Sequence, residues 1–122
     1  AMAPVEARAG TAHENPFAFN RRFWMKHGRV VTNPGIGNPD IVRNESEIDD
    51  TLEVLGFRDP AGWRAVIVNV SNHTDSFGVD EVSADWPGHL ETCIRKWAGA
   101  QAHVITLIRP AGNINHIDVR DL

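Results

Sequence analysis

A chain of 122 residues, 42% hydrophobic and 23% charged, has the size and composition of one globular domain. Twelve basic residues against sixteen acidic ones give a net charge of −4, and no tight basic pair exists beyond Arg21-Arg22 and Arg95-Lys96, which argues against a nucleic-acid or anionic-membrane surface. A lone cysteine, Cys93, excludes an intrachain disulfide and is expected as a buried, inert thiol; no apolar run reaches the roughly 18 residues of a membrane span.

Residues 1–16 are small and polar, show no hydrophobic period and end in Asn15-Pro16. They are expected as a flexible tail, and they lack the basic start and apolar centre of a signal peptide. Residues 17–122 are expected as one soluble domain. It opens on an aromatic cluster, Phe17, Phe19, Phe23 and Trp24, which suits core or interface packing and alternatively a lipid contact. A strand is expected over 26–31, opened by a turn at His27-Gly28. Residues 32–50 then read as one long loop, because two prolines and two glycines between Asn33 and Pro39 forbid a regular helix or central strand.

Thr51–Phe57 alternates as a half-buried strand, Asp59-Pro60-Ala61-Gly62 makes a turn, and Trp63–Val70 supplies an antiparallel partner. A helix is expected over 86–98, with Pro87 in its first turn and Gly99 as its stop. Trp86, Leu90, Ile94 and Trp97 recur at helical spacing as a core stripe. Residues 102–108 form the last strand. The predicted fold is therefore α/β: a small mixed sheet with one right-handed βαβ crossover and long polar loops.

This topology places a site. Ligands of such sheets bind beyond the carboxyl ends of the parallel strands. The segments leaving those ends are Ser71–Ser76 and Pro110–His116, so His73, Asp75, Asn113, Asn115 and His116 are the candidate site residues. Each also has a plainer reading. His73 suits a hydrogen-bonded loop histidine, Asn113 and Asn115 suit turn caps, and Asp75 and Glu81 suit solvated carboxylates. His116 and Asp118, two apart, suit either a histidine–carboxylate pair or a surface tail.

The phrases RRFWMKHGRVVTNPGIGNPDIV (21–42), VNVSNHTDSFGVDEVSADWPGHL (68–90) and PAGNINHIDV (110–119) resemble, in order and spacing, the middle of the neutral/alkaline non-lysosomal ceramidase catalytic domain, above all its bacterial relatives. The resemblance implies a zinc-dependent amidase acting on a lipid-like or other amide. It assigns His73 as a metal ligand and the Gly112–Asn115 loop to catalysis and substrate contact. The chain departs from that pattern at several points. It has no upstream T-H-x-H-S-type motif and no tyrosine, and Asn113 and Asn115 stand where the family carries aspartate and serine. Catalytic zinc takes three protein ligands and an open position. A homo-oligomer or a partner chain, pairing His73 with His116 or with a second His73, would supply what is missing. Three functions are open on this reading: a divergent or truncated ceramidase-like hydrolase completed in that way, a non-catalytic binding or assembly module, or a fragment of a longer hydrolase.

Overall fold

The structure, a computed structural model, describes residues 3–13, 15–78 and 80–120. Ala1, Met2 and Glu14 of the expected tail and Val79, Asp121 and Leu122 of the expected domain lie outside them. In chain order the elements are β1 (Glu6–His13), β2 (Phe19–Asn20), β3 (Arg22–Met25), β4 (Val30–Thr32), β5 (Ile41–Asn44), β6 (Thr51–Asp59), β7 (Gly62–Val70), α1 (Asp85–Ala98), β8 (His103–Ile108) and β9 (Ile114–Asn115). The principal sheet is mixed and ordered β1-β6-β7-β8, beside a small β4-β3-β5 sheet and a β2-β9 pair.

The hairpin β6–β7 closes where Asp59 pairs with Gly62. Pro60 presets the turn, the Asp59 carboxylate accepts the Ala61 N–H at 2.8 Å, and Gly62 takes φ 126°. β7 pairs with β8 in parallel from Ala65↔His103 to Val70↔Ile108, and α1 lies between them in the chain. The helix ends at Gly99, whose φ of 103° suits glycine and whose N–H bonds the Arg95 carbonyl at 2.9 Å. Asp85 in the first turn and Arg95 and Lys96 in the last complement the helix dipole.

Val66, Val68 and Val70 point to the helix side and are buried. Two further clusters flank them: Phe23, Met25 and Val119 beside β3, and Ala18, Ala111 and Ile114 beside β9. The expected core stripe of α1 is instead shallow. Trp86, Leu90 and Ile94 are half-buried, and Trp97 is 68% exposed, stacked on Trp63 at 5.3 Å. Cys93, expected to be buried, is exposed on the same helix.

Two other expectations are corrected. Within the segment read as a tail, Glu6–His13 forms β1, paired with β6 from Glu6↔Arg58 to His13↔Thr51. Its side chains are all exposed, so backbone pairing rather than burial holds it, and no hydrophobic period marks it. Within the 32–50 loop, Ile41–Asn44 forms β5 against β3. The turn expected at His27-Gly28 is present, its Gly28 N–H bonding the Met25 carbonyl at 2.8 Å, and the strand it opens is β4.

The helix C-terminus is fixed through a glycine. A methyl group at Gly56 would stand 2.5 Å from Trp63 Cζ3, so the indole lies flat on the strand only because Gly56 has no side chain. Gly56→Ala should displace Trp63 and with it Trp97, destabilising the fold by about 1–3 kcal/mol; urea unfolding followed by tryptophan fluorescence measures this. Cys93 should react with a thiol reagent in the folded protein at a rate near that of a free thiol.

Candidate functional site

The parallel register brings the ends of β7 and β8 to one rim, and the two polar segments meet there. The His73 Nε2–H donates to the Ile114 carbonyl at 3.1 Å, joining the segment after β7 to β9. His116 Nε2–H donates to Asp75 Oδ1 at 2.8 Å. The two imidazoles lie 6.2 Å apart, centre to centre, with planes at 83°. Three of the five nominated residues, His73, Asp75 and His116, thus form one cluster. The hydrogen bond from His116 holds the Asp75 carboxyl below the usual carboxylate range, against the opposing effect of burial.

Asn113 and Asn115 do other work. Asn113 Nδ2 donates to the Glu47 carbonyl at 2.9 Å and to Ser46 Oγ at 3.2 Å. Asn115 Nδ2 donates to Asn33 Oδ1 at 3.1 Å, while its Oδ1 accepts the His116 N–H at 2.8 Å. Both side chains moor the glycine loop to the 33–47 segment. Asp118 pairs with Arg120 at 3.2 Å and not with His116, because residues 116–118 are not extended as that pairing requires. Glu81 is exposed.

A cavity of about 530 Å³ opens beside this cluster. Leu52, Val68, Val70, Trp86 and Leu90 make it largely apolar, Phe17 stands at it 72% exposed, and Asn72, Ser76 and His116 give it polar groups. Asn72 is only 8% exposed, and its Oδ1 has no hydrogen-bond partner among the described residues. A buried acceptor left unpaired costs about 1–3 kcal/mol.

Asp85 escaped the sequence reading. It is buried at the start of α1 with a left-handed φ of 51°. Its carboxylate accepts the Ser76 N–H at 2.8 Å, the Ser76 hydroxyl at 2.6 Å and the Trp86 N–H at 2.6 Å. The Trp86 indole N–H in turn donates to the His73 carbonyl at 2.6 Å. Asp85 and Trp86 therefore fix both the loop and the backbone of His73. The Asp-Trp-Pro helix start was the available signal, but a polar residue there reads as an ordinary cap.

Among the described residues, no three histidine, cysteine, aspartate or glutamate side chains converge as a metal site, and no helix is long and apolar enough to cross a membrane. Comparison with protein-family models, with curated proteins and with solved structures finds no match to the chain.

Burial pushes the Asp85 carboxyl upward, but the bonds from Ser76 and Trp86 outweigh it and hold the carboxyl below its ordinary value. A depressed folded value means that this stabilisation is present above the unfolded pKa and is lost as pH falls through the folded one. Thermal stability should fall on acidification below about pH 4, and part of that slope should vanish in Asp85→Asn. Asp85→Ala should cost about 1–3 kcal/mol and raise amide exchange in residues 73–76, measurable by hydrogen–deuterium exchange.

Proposed function

We propose that the chain is part of a ceramidase-like, zinc-dependent amide hydrolase, its catalytic site completed by self-association or by a further polypeptide unit. The single observation that carries this reading is the setting of His73. Its Nε2–H is engaged by the Ile114 carbonyl, so the Nδ1 lone pair is left for a ligand, on a rim beside a largely apolar cavity. His73 would hold the metal; bound there, zinc would polarise an amide carbonyl and acidify a water molecule. Asp75, the rim carboxylate that accepts the His116 Nε2–H, would take a proton as general base. Leu52, Val68, Val70 and Leu90 would take the apolar part of a lipid-like amide. We read the β7–α1–β8 connection as right-handed, the sense that nearly all parallel crossovers take.

A second reading, a non-catalytic assembly module, is favoured by the other sheet face. Leu55, Ile105 and Leu107 lie opposite the buried valines and are 36%, 48% and 48% exposed. Such an apolar face suits a homo-oligomer or a partner chain.

Hydrolysis of a short-chain N-acylsphingosine in zinc-containing buffer, over a range of protein concentrations, separates the two. The first reading expects specific activity that rises with concentration or on adding the further unit, and that His73→Ala lowers about 100-fold or more. Wild-type activity in His73→Ala would sink it, and absence of hydrolysis at every concentration would favour the second.

A further inference from the structure

We infer that His73 and His116 together form a two-nitrogen site for a first-row divalent cation, each binding through Nδ1. The inference deepens the reading of His73 as a ligand by naming its companion within the same chain. Its basis is the hydrogen bonding of the two rings. The acceptors at the two Nε2 atoms are a carbonyl oxygen, that of Ile114, and a carboxylate oxygen, that of Asp75. Neither group can donate, so each Nε2 carries a proton, and the neutral form of each ring presents its lone pair at Nδ1. Metal-bound histidines have this arrangement: the far ring nitrogen donates to a carboxylate or a backbone carbonyl, which fixes the tautomer and makes the ligand nitrogen more basic.

The spacing agrees. Two imidazoles held by one tetrahedral cation, at the usual nitrogen–metal distances, have ring centres about 5 Å apart. Here the centres are 6.2 Å apart, about 1 Å beyond that spacing, and the planes are nearly perpendicular. Ring positions are constrained on both sides. Trp86 holds the His73 carbonyl and Asn115 holds the His116 N–H, so the backbone of each residue is pinned beside its ring. The Asp75 carboxylate adds a negative charge that offsets the incoming cation. His13, near Asp50 at 3.4 Å, is the contrasting case: its side chain is 69% exposed, and among the described residues the paired imidazoles are those of His73 and His116. With no third side chain converging among the described residues, the remaining positions on the ion are open to water or to a further unit.

Long-range proton–nitrogen NMR of the histidine rings tests this on the wild-type chain, titrated with zinc chloride alone. Without zinc, His73 and His116 should both be protonated at Nε2. On titration their two Nδ1 resonances should move together with one saturation curve, while those of His13 stay in place. His116→Gln should weaken zinc binding about 10-fold or more, and Asp75→Asn, which keeps both rings, by about 10-fold; amide spectra establish that each variant is folded. Zinc that moves His73 alone, or that binds His116→Gln or Asp75→Asn as tightly as wild type, overturns the pair and leaves His73 as a ligand. Zinc that moves neither ring overturns the pair and the role of His73 with it.

Discussion

The parallel register of β7 on β8 is the constraint on which the rest depends. Six consecutive pairs, from Ala65↔His103 to Val70↔Ile108, align the ends of two strands that are separated in the chain by a loop and a helix. A parallel pair cannot be joined by a tight turn, so a longer connection, here a loop and α1, links the two strands, and both exit at the same edge. The bond from the Arg109 N–H to the Val70 carbonyl, 3.1 Å, carries the alignment one residue further. Beyond that point short contacts are enough. Ser71–Asp75 and Gly112–His116 leave adjacent points, and the His73–Ile114 and Asp75–His116 bonds fasten the two segments to one another.

Those elements were legible because their signals are local. Thr51–Phe57, Trp63–Val70 and residues 102–108 carry strand patterning, Asp59–Gly62 carries turn chemistry, and Pro87 and Gly99 bracket the helix. The strand-end rule then gathered His73, Asp75 and His116. The features that escaped depend on distant partners. β1 is built largely of alanine, arginine, glycine and threonine, and becomes a strand only because β6 offers it an edge. β2 and β9 are two residues each and exist through their mutual pairing. Asn113 and Asn115 were placed among the reacting groups because nothing local reveals that their partners lie near residues 33 and 47. The pairing of His116 with Asp75, rather than with Asp118, is likewise a contact over 41 residues.

Coverage explains the shallow core. Four strands about 4.8 Å apart make a sheet close to 20 Å wide, whereas a helix covers about 10 Å. One helix therefore shields about half of one face. The valines of β7 are buried beneath it, the cavity opens over β6 where its cover ends, and Leu55, Ile105 and Leu107 stay accessible on the reverse. Arg109, held by Asp49 at 2.8 Å and by Glu53, with Asn69 on Glu53 at 2.9 Å, gives the sheet a polar boundary near the exit of β8. The site and the open face thus have the same origin, a sheet larger than its single helix.

The Trp86 indole occupies an unusual place among the four tryptophans. Its ring lines the cavity while its N–H is tied to the backbone of His73. The other three sit elsewhere: Trp24 under Arg43, and Trp63 and Trp97 stacked together. Indole emission responds to the polarity and quenching groups around the ring, so one native chromophore is built into the wall of the site. With Trp24, Trp63 and Trp97 replaced by phenylalanine, the molecule would carry its own optical reporter of occupancy, read without any attached label.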